Sequence, residues 1–245
     1  MSPANTDLPQ ILNLLEGLYG PQAASGPSDP YQMIVYLNCG YPATDASCTK
    51  GFDSVKREAG LSPEKILAAP KAKLTKLLRT GGIVPDVRAG RLMEIAKSVR
   101  DEFGGNLKSS LKKLLEKDKT SAKQGIKAAR KALKKFPVIG EPSADKILLF
   151  SKLAAVAAVP SASLDVPMRI FAGGPGKNYA ADYRAVRQIL DSSLKKDFEP
   201  LQRAYLLFKK HGHEICKHSK PKCEICPLTA RCAYLQAKAM DGNTQ

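Results

Sequence analysis

The sequence contains no tryptophan, and its aromatic residues amount to only 6% of 245 residues. A core built from this chain must therefore be filled by Leu, Ile, Val and Ala rather than by large rings. Long apolar runs are missing too. No stretch approaches the ~20 residues that a membrane span requires, and the most apolar one, 147–159, is interrupted by Ser151 and Lys152. The period-2 alternation of half-buried strands is absent, which argues against a β architecture. The segment Met1-Ser2-Pro3-Ala4-Asn5 has no basic stretch leading into an apolar one, so no signal peptide is expected. Acidic residues are scarce: 23 Asp and Glu stand against 39 Lys and Arg, giving a formal net charge of +16. A surface this basic attracts polyanions, with DNA, RNA and acidic membranes as the candidates. Six cysteines, four of them clustered, suit a reducing compartment better than a disulfide scaffold. Cys39 and Cys48 read as plain thiols.

What is present is helical periodicity. Leu8, Ile11, Leu12, Leu15 and Leu18 recur at helical spacing until Gly20-Pro21 stops them. Ser62-Pro63-Glu64 opens a helical region that Gly81-Gly82 closes, and Leu92, Ile95, Ala96, Val99 and Phe103 form another stripe. Further helices are expected at 143–157, 166–172, 179–193 and 198–211. The pattern predicts an all-α chain of about ten helices. Between Lys108 and Lys135, eleven Lys and Arg residues face only Glu116 and Asp118. That run is either a solvated helix face or a surface for a polyanion.

Cys216, Cys223, Cys226 and Cys232 stand at the spacing C-x6-C-x2-C-x5-C. Four thiolates so close in sequence can surround one metal centre, and ligand count alone does not separate tetrahedral zinc from an iron–sulfur cube. Zinc ribbons pair two short C-x2-C knuckles, whereas only one exists here. The spacing thus favours a [4Fe–4S] cluster, with zinc and unmetallated thiols as the other readings. Lys217, His218, Lys220 and Lys222 decorate the loop tied between the first two cysteines, a cationic finger suited to a DNA backbone. His211 and His213, just before it, read as structural or phosphate-facing.

Two further segments could carry chemistry. From Leu133 to Ile147 a basic helix enters a tight apolar turn, Phe136-Pro137-Val138-Ile139-Gly140, and a new helix follows with Pro142 in its first turn. Such a turn can offer backbone N–H groups and a helix N-terminus to a phosphate; an ordinary αα-hairpin is the alternative. Asp165, two residues before Pro167, is placed to cap the helix that follows it. A carboxylate fixed there could also stabilise a developing oxocarbenium ion or orient a water. The glycine-rich stretch at 173–178 does not form a phosphate-binding P-loop, because Phe171 stands where glycine is needed and Asn178 replaces Ser or Thr.

Taken in this order, the hairpin at 136–140, Asp165, and His-Gly-x-x-x-Cys-x6-Cys-x2-Cys-x5-Cys from His211 resemble the endonuclease III family of helix–hairpin–helix DNA glycosylases. The resemblance spans residues 30–232. It implies a two-domain all-α architecture. One domain, 30–158, would have six helices and carry the helix–hairpin–helix over 128–150. The other, 1–29 plus 159–245, would be discontinuous and hold a [4Fe–4S] cluster on Cys216, Cys223, Cys226 and Cys232. It also implies the activity: a damaged or mismatched base is flipped out of duplex DNA, since its glycosidic bond is shielded in the stack, and that bond is cleaved. By resemblance Asp165 is the catalytic aspartate, Phe136 to Gly140 bind phosphate, and Asn38 and Tyr41 fall near the base pocket and wedge. A monomer working in the cytoplasm at the nucleoid, with no membrane partner, is expected.

Two departures stand out. Val138 replaces the first glycine of the family hairpin, and valine disfavours positive φ, so an altered turn with a weaker phosphate contact is expected. Pro142 stands where bifunctional members place the lysine that forms a Schiff base and nicks the strand. The expected enzyme is therefore monofunctional. Lys146, one turn later, is the amine that could replace the missing lysine. A protein that binds DNA on the same scaffold without catalysis is the remaining alternative.

Overall fold

The computed structural model describes residues 7–40, 44–116 and 121–242, with side chains described as far as residue 239. Tyr41 lies outside the described residues. Among them the regular structure is entirely helical, thirteen α-helices and four short 3-10 helices, where about ten helices are expected from spacing. Part of the excess comes from proline. The region beginning at Ser62 is two helices, because Ala69 precedes Pro70 and takes an extended conformation (φ −76°, ψ 133°). Among the described residues no helix is long and apolar enough to cross a membrane.

The chain divides into two compact units, Met1–Ala24 with Ala155–Gln245, and Ser25–Ala154. The discontinuous unit begins with α1 (Leu8–Tyr19). The continuous unit holds α2 (Pro30–Gly40), α3 (Asp45–Glu58), α4 (Pro63–Ala68), α5 (Lys71–Leu78), α6 (Pro85–Glu102), α7 (Leu107–Glu116), α8 (Ala122–Leu133) and α9 (Glu141–Phe150). That is eight helices where the family pattern suggests six, the split at Pro70 again adding to the number. The chain returns to the discontinuous unit with α10 (Asp165–Ala172), α11 (Tyr179–Ser193), α12 (Phe198–Glu214) and α13 (Ala233–Gly242).

In the discontinuous unit, α1 buries Leu8, Ile11, Leu12 and Leu15, the face set by its spacing. Arg203 on α12 joins the two helices by donating from Nη2 to Glu16 Oε2 at 2.8 Å and to Asn13 Oδ1 at 2.8 Å. In the continuous unit, α8 buries Gly125, Ala129, Ala132 and Leu133 and leaves Lys123, Lys127 and Lys131 exposed. Small residues on the inner face let α8 approach α7 closely, so its lysines are confined to the outer face. Arg130 on α8 pairs with the fully buried Asp145 on α9, Nε to Oδ1 2.5 Å. This ion pair fixes the two helices on either side of the 134–140 turn.

The helix expected over 143–157 ends at Phe150. Lys152 turns to φ 54°, its N–H donates to Leu149 O at 3.3 Å, and that of Leu153 donates to Leu148 O at 3.0 Å. The pair of bonds is a Schellman closure with lysine in the left-handed position. Val156 to Val159 stay buried as non-helical chain. Apolar periodicity does not distinguish such a buried connector from a continuing helix.

Within the hairpin, Val138 adopts φ 59°. Valine here takes the left-handed conformation that glycine would take freely. The strain costs about 1–2 kcal/mol and is held by neighbours. Asn38 on α2 donates from Nδ2 to Pro137 O at 3.2 Å, Ile139 N–H donates to Phe136 O at 3.3 Å, and Phe136 and Ile139 are buried. Val138→Gly is therefore expected to raise the urea midpoint, by a net gain of up to about 1 kcal/mol once the greater freedom of glycine in the unfolded chain is subtracted. A lower midpoint at unchanged m-value would show that the half-buried valine side chain contributes more than its backbone costs.

Candidate functional site: a carboxylate held by the cysteine loop

The site lies within the discontinuous unit and starts from α10. A 3-10 turn at Ser161–Ser163 runs into that helix, so Leu164 is already helical (φ −60°, ψ −30°) when Asp165 opens the first turn. An N-cap residue needs extended dihedrals, and Asp165 makes no capping bond. The cap expected from the sequence is replaced by two side-chain partners. Asp165 Oδ2 lies 2.6 Å from His218 Nδ1 and 3.4 Å from Arg169 Nη2. The Asp165 side chain is 17% exposed and that of His218 is 80% exposed.

Arg169 stands one helical turn after Asp165 on the same face, and its side chain is almost wholly buried. Its guanidinium is spent on the loop that follows α12. Nη1 donates to Lys217 O at 2.8 Å and reaches Cys216 O at 3.4 Å and Cys216 Sγ at 3.5 Å; Nη2 donates to His218 O at 2.6 Å. The cation also sits 5.5 Å from the centroid of the Tyr234 ring. A planar, always-charged fork suits this set of acceptors as an ammonium would not. Neither Arg169 nor the Asp165 partner role of His218 follows from the motif. The available signal was the i,i+4 spacing of Asp165 and Arg169, which puts opposite charges together on a helix.

Cys216, Cys223, Cys226 and Cys232 line one largely apolar pocket with Ile170, Ile215 and Leu228. Backbone bonds fold the loop around it: Cys216 N–H donates to His211 O at 2.8 Å and Lys222 N–H to Ile215 O at 2.9 Å. Among the described residues, no three His, Cys, Asp or Glu side chains converge as a single metal ion would require. Burial pushes the Cys226 thiol up to about 11 and raises Cys216 despite the neighbouring Arg169. Desolvation thus opposes bare thiolates here, and a cationic centre that draws off the protons would reverse that balance. The residues fit such a centre, with four soft donors around one apolar space.

His211 is buried, with Nδ1 2.9 Å from Tyr19 Oη and Nε2 3.6 Å from Cys226 Sγ. Desolvation lowers its pKa to about 4. Gly212 beside it is demanded by packing. A Cβ there would lie 2.5 Å from Ser163 Oγ and 2.8 Å from Ser163 Cβ, so α12 passes directly against the turn that leads into Asp165. Lys217, Lys220 and Lys222 are all exposed.

The other candidates belong to the continuous unit. The N–H groups of Val138 and Gly140 have no acceptor among the described residues. Gly140 is exposed, and a Cβ on it would meet nothing nearer than Pro142 Cδ at 3.8 Å. Asn38 is buried beneath the hairpin, its Nδ2 shared between Ile34 O and Pro137 O. Lys146 is half-buried on α9, one turn beyond Pro142.

No family model matches the chain. It is 24% identical over 226 residues to a protein of Methanocaldococcus jannaschii named as a candidate DNA repair glycosylase, covering 91% of this chain and 94% of that one. It is 26% identical over 179 residues to the thymine/uracil-DNA glycosylase of Methanothermobacter thermautotrophicus, covering 71% and 68%. Among solved structures, an endonuclease III trapped covalently on DNA superposes with a TM-score of 0.70 at 17% identity, over 95% of this chain and 97% of that one. The chain is similar in sequence and fold to endonuclease III-like helix–hairpin–helix DNA glycosylases. Within that endonuclease III-like fold, its two departures are local. Val138 keeps a left-handed backbone, and Pro142 is accommodated in the first turn of α9.

Because Gly212 has no room for a side chain, Gly212→Ala is expected to destabilise the protein by about 1–3 kcal/mol, the usual cost of overpacking. Denaturant unfolding measures it. An unchanged midpoint would mean that the 161–163 turn moves aside freely, and that Gly212 does not set the position of Asp165.

Proposed function

We propose that the chain is a DNA glycosylase of base excision repair, monofunctional, hydrolysing the N-glycosidic bond of a damaged or mismatched base flipped from duplex DNA. The observation that carries this reading is the Asp165 carboxylate, fixed at Oδ2 by Arg169 and His218 and still partly open to solvent. A carboxylate so held stabilises positive charge developing at C1′ as the base departs, and it orients the water that adds there. The relatives named as glycosylases support the reading, the one acting on thymine and uracil among them.

DNA contact falls to two features. The free N–H groups of Val138 and Gly140, at the N-terminus of α9, suit a phosphate oxygen, and the bare Gly140 leaves space for the backbone to approach. Lys217, Lys220 and Lys222 add charge on the cysteine loop. Asn38 acts by supporting the hairpin rather than through a free amide N–H. A [4Fe–4S] cluster on Cys216, Cys223, Cys226 and Cys232 fits sulfurs that share a pocket without converging on one point, and when bound it would keep that loop folded. The lyase route through the usual position is closed, because Pro142 carries no primary amine. Lys146, on the same face of α9, carries the second reading, a bifunctional enzyme.

Duplexes each bearing one lesion, resolved with and without alkali, test the proposal. Strand breaks that need alkali, and that fall about 10²–10⁴-fold in Asp165→Asn, are the expected result. Breaks without alkali that vanish in Lys146→Ala would establish the lyase. Binding without release of any base would leave a non-catalytic DNA-binding protein. The purified protein is expected to be brown with about four irons per chain, and Cys223→Ser to lose the colour; a colourless protein holding one zinc would overturn the cluster assignment.

A further inference from the structure

His218 belongs to the loop between Cys216 and Cys223, yet its imidazole reaches a residue far away in sequence. Nδ1 lies 2.6 Å from Asp165 Oδ2. The backbone on which it sits is clamped, since Arg169 donates to the carbonyls of Lys217 and His218 at 2.8 and 2.6 Å. The ring therefore hangs from a fixed stretch of chain and meets the Asp165 carboxylate at Oδ2. Its own side chain is 80% exposed while that of Asp165 is 17% exposed. Nothing else in the fold requires this contact. A solvated loop histidine would gain little from one partner, whereas this one shares Oδ2 with the buried guanidinium on α10.

We propose that His218 is a positioning residue for the reaction assigned to Asp165: by donating from Nδ1 to Oδ2 it fixes the rotation of the carboxylate, so that Oδ1 is the oxygen left for the sugar and the water. The role rests on the glycosylase reading above. It also explains how a chain without the Schiff-base lysine can depend on one carboxylate. With no amine to form a covalent intermediate, catalysis relies on the placement of a single charge, and a misplacement of about 1 Å can cost 10²-fold in rate.

Asparagine and glutamine separate the two ring nitrogens. The amide nitrogen of Asn takes the place of Nδ1, whereas that of Gln reaches toward Nε2. Single-turnover base release and affinity for a duplex carrying a tetrahydrofuran abasic analogue are measured for wild type, His218→Ala, His218→Asn and His218→Gln. The expected result is a loss of about 10–100-fold in rate for the Ala and Gln variants. Analogue affinity stays within about twofold, and Asn restores most of the rate. Nitrogen-15 spectra of the wild type should show a protonated Nδ1 that changes in Asp165→Asn. Unchanged release in His218→Ala, rescue by Gln instead of Asn, or rate and affinity falling together would each overturn the positioning role while leaving the glycosylase reading intact. A wild type that releases no base from any duplex would overturn both, and is distinguished from those cases by its own silence.

Discussion

The candidate site depends on one buried cation. Arg169 is the group through which α10 and the cysteine loop meet, and its guanidinium is shared among the carbonyls of Cys216, Lys217 and His218 and the carboxylate of Asp165. Taking a guanidinium out of water costs several kcal/mol, offset here by the acceptors gathered at Nη1 and Nη2, while Nε is buried without a partner. The loop must therefore present its carbonyls inward in one arrangement, and His218 falls over Asp165 as a result. Removing either side would leave charge or carbonyls buried without partners, typically a loss of about 3–5 kcal/mol for a broken buried pair. The same requirement explains Gly212. The turn into α10 and the end of α12 can lie close enough for this network only if no side chain separates them.

The continuous unit shows the complementary device, a strained turn held from both sides. Arg130 and Asp145 tie the flanking helices, and Asn38 holds the turn from below through Pro137 O. With those restraints in place Val138 can keep a left-handed backbone that its branched side chain opposes. The left-handed geometry of the turn is thus kept by its surroundings even though no glycine stands there to favour it. A reading of residue types alone sees valine and expects another turn. The restraints that outweigh it come from residues distant in sequence.

That difference marks what a linear reading can reach. The all-helical class was legible because apolar residues recur at helical spacing from Leu8 to Leu18 and from Leu92 to Phe103. The cysteine loop was legible because its spacing is local. Helix boundaries were less so: Phe150 ends a helix that the apolar run 147–159 would carry on by its pattern, since a Schellman turn at Lys152 leaves no mark in hydrophobicity. Asp165 was found through its motif, but its partners were not, because His218 is placed by folding and not by spacing. Arg169 lies four residues on from Asp165, a spacing legible in the sequence, but its burial and its bonds to the cysteine loop are set by folding.

On the proposed function, Pro142 shapes the chemistry by what it removes. An amine at that position would share the reaction with the carboxylate by capturing C1′ covalently. In the monofunctional enzyme proposed above, the charge that develops at the sugar is met by a carboxylate alone, and water completes the substitution. A carboxylate free to rotate would meet that charge with either oxygen and hold the water poorly. One pinned through a single oxygen presents the other in a constant direction. The two donors at Asp165 Oδ2 supply that pinning, one a buried cation on its own helix and one an exposed ring on the cysteine loop. On the proposed reading, Pro142 and the His218 contact have one physical meaning: positional control of the carboxylate stands in for covalent capture.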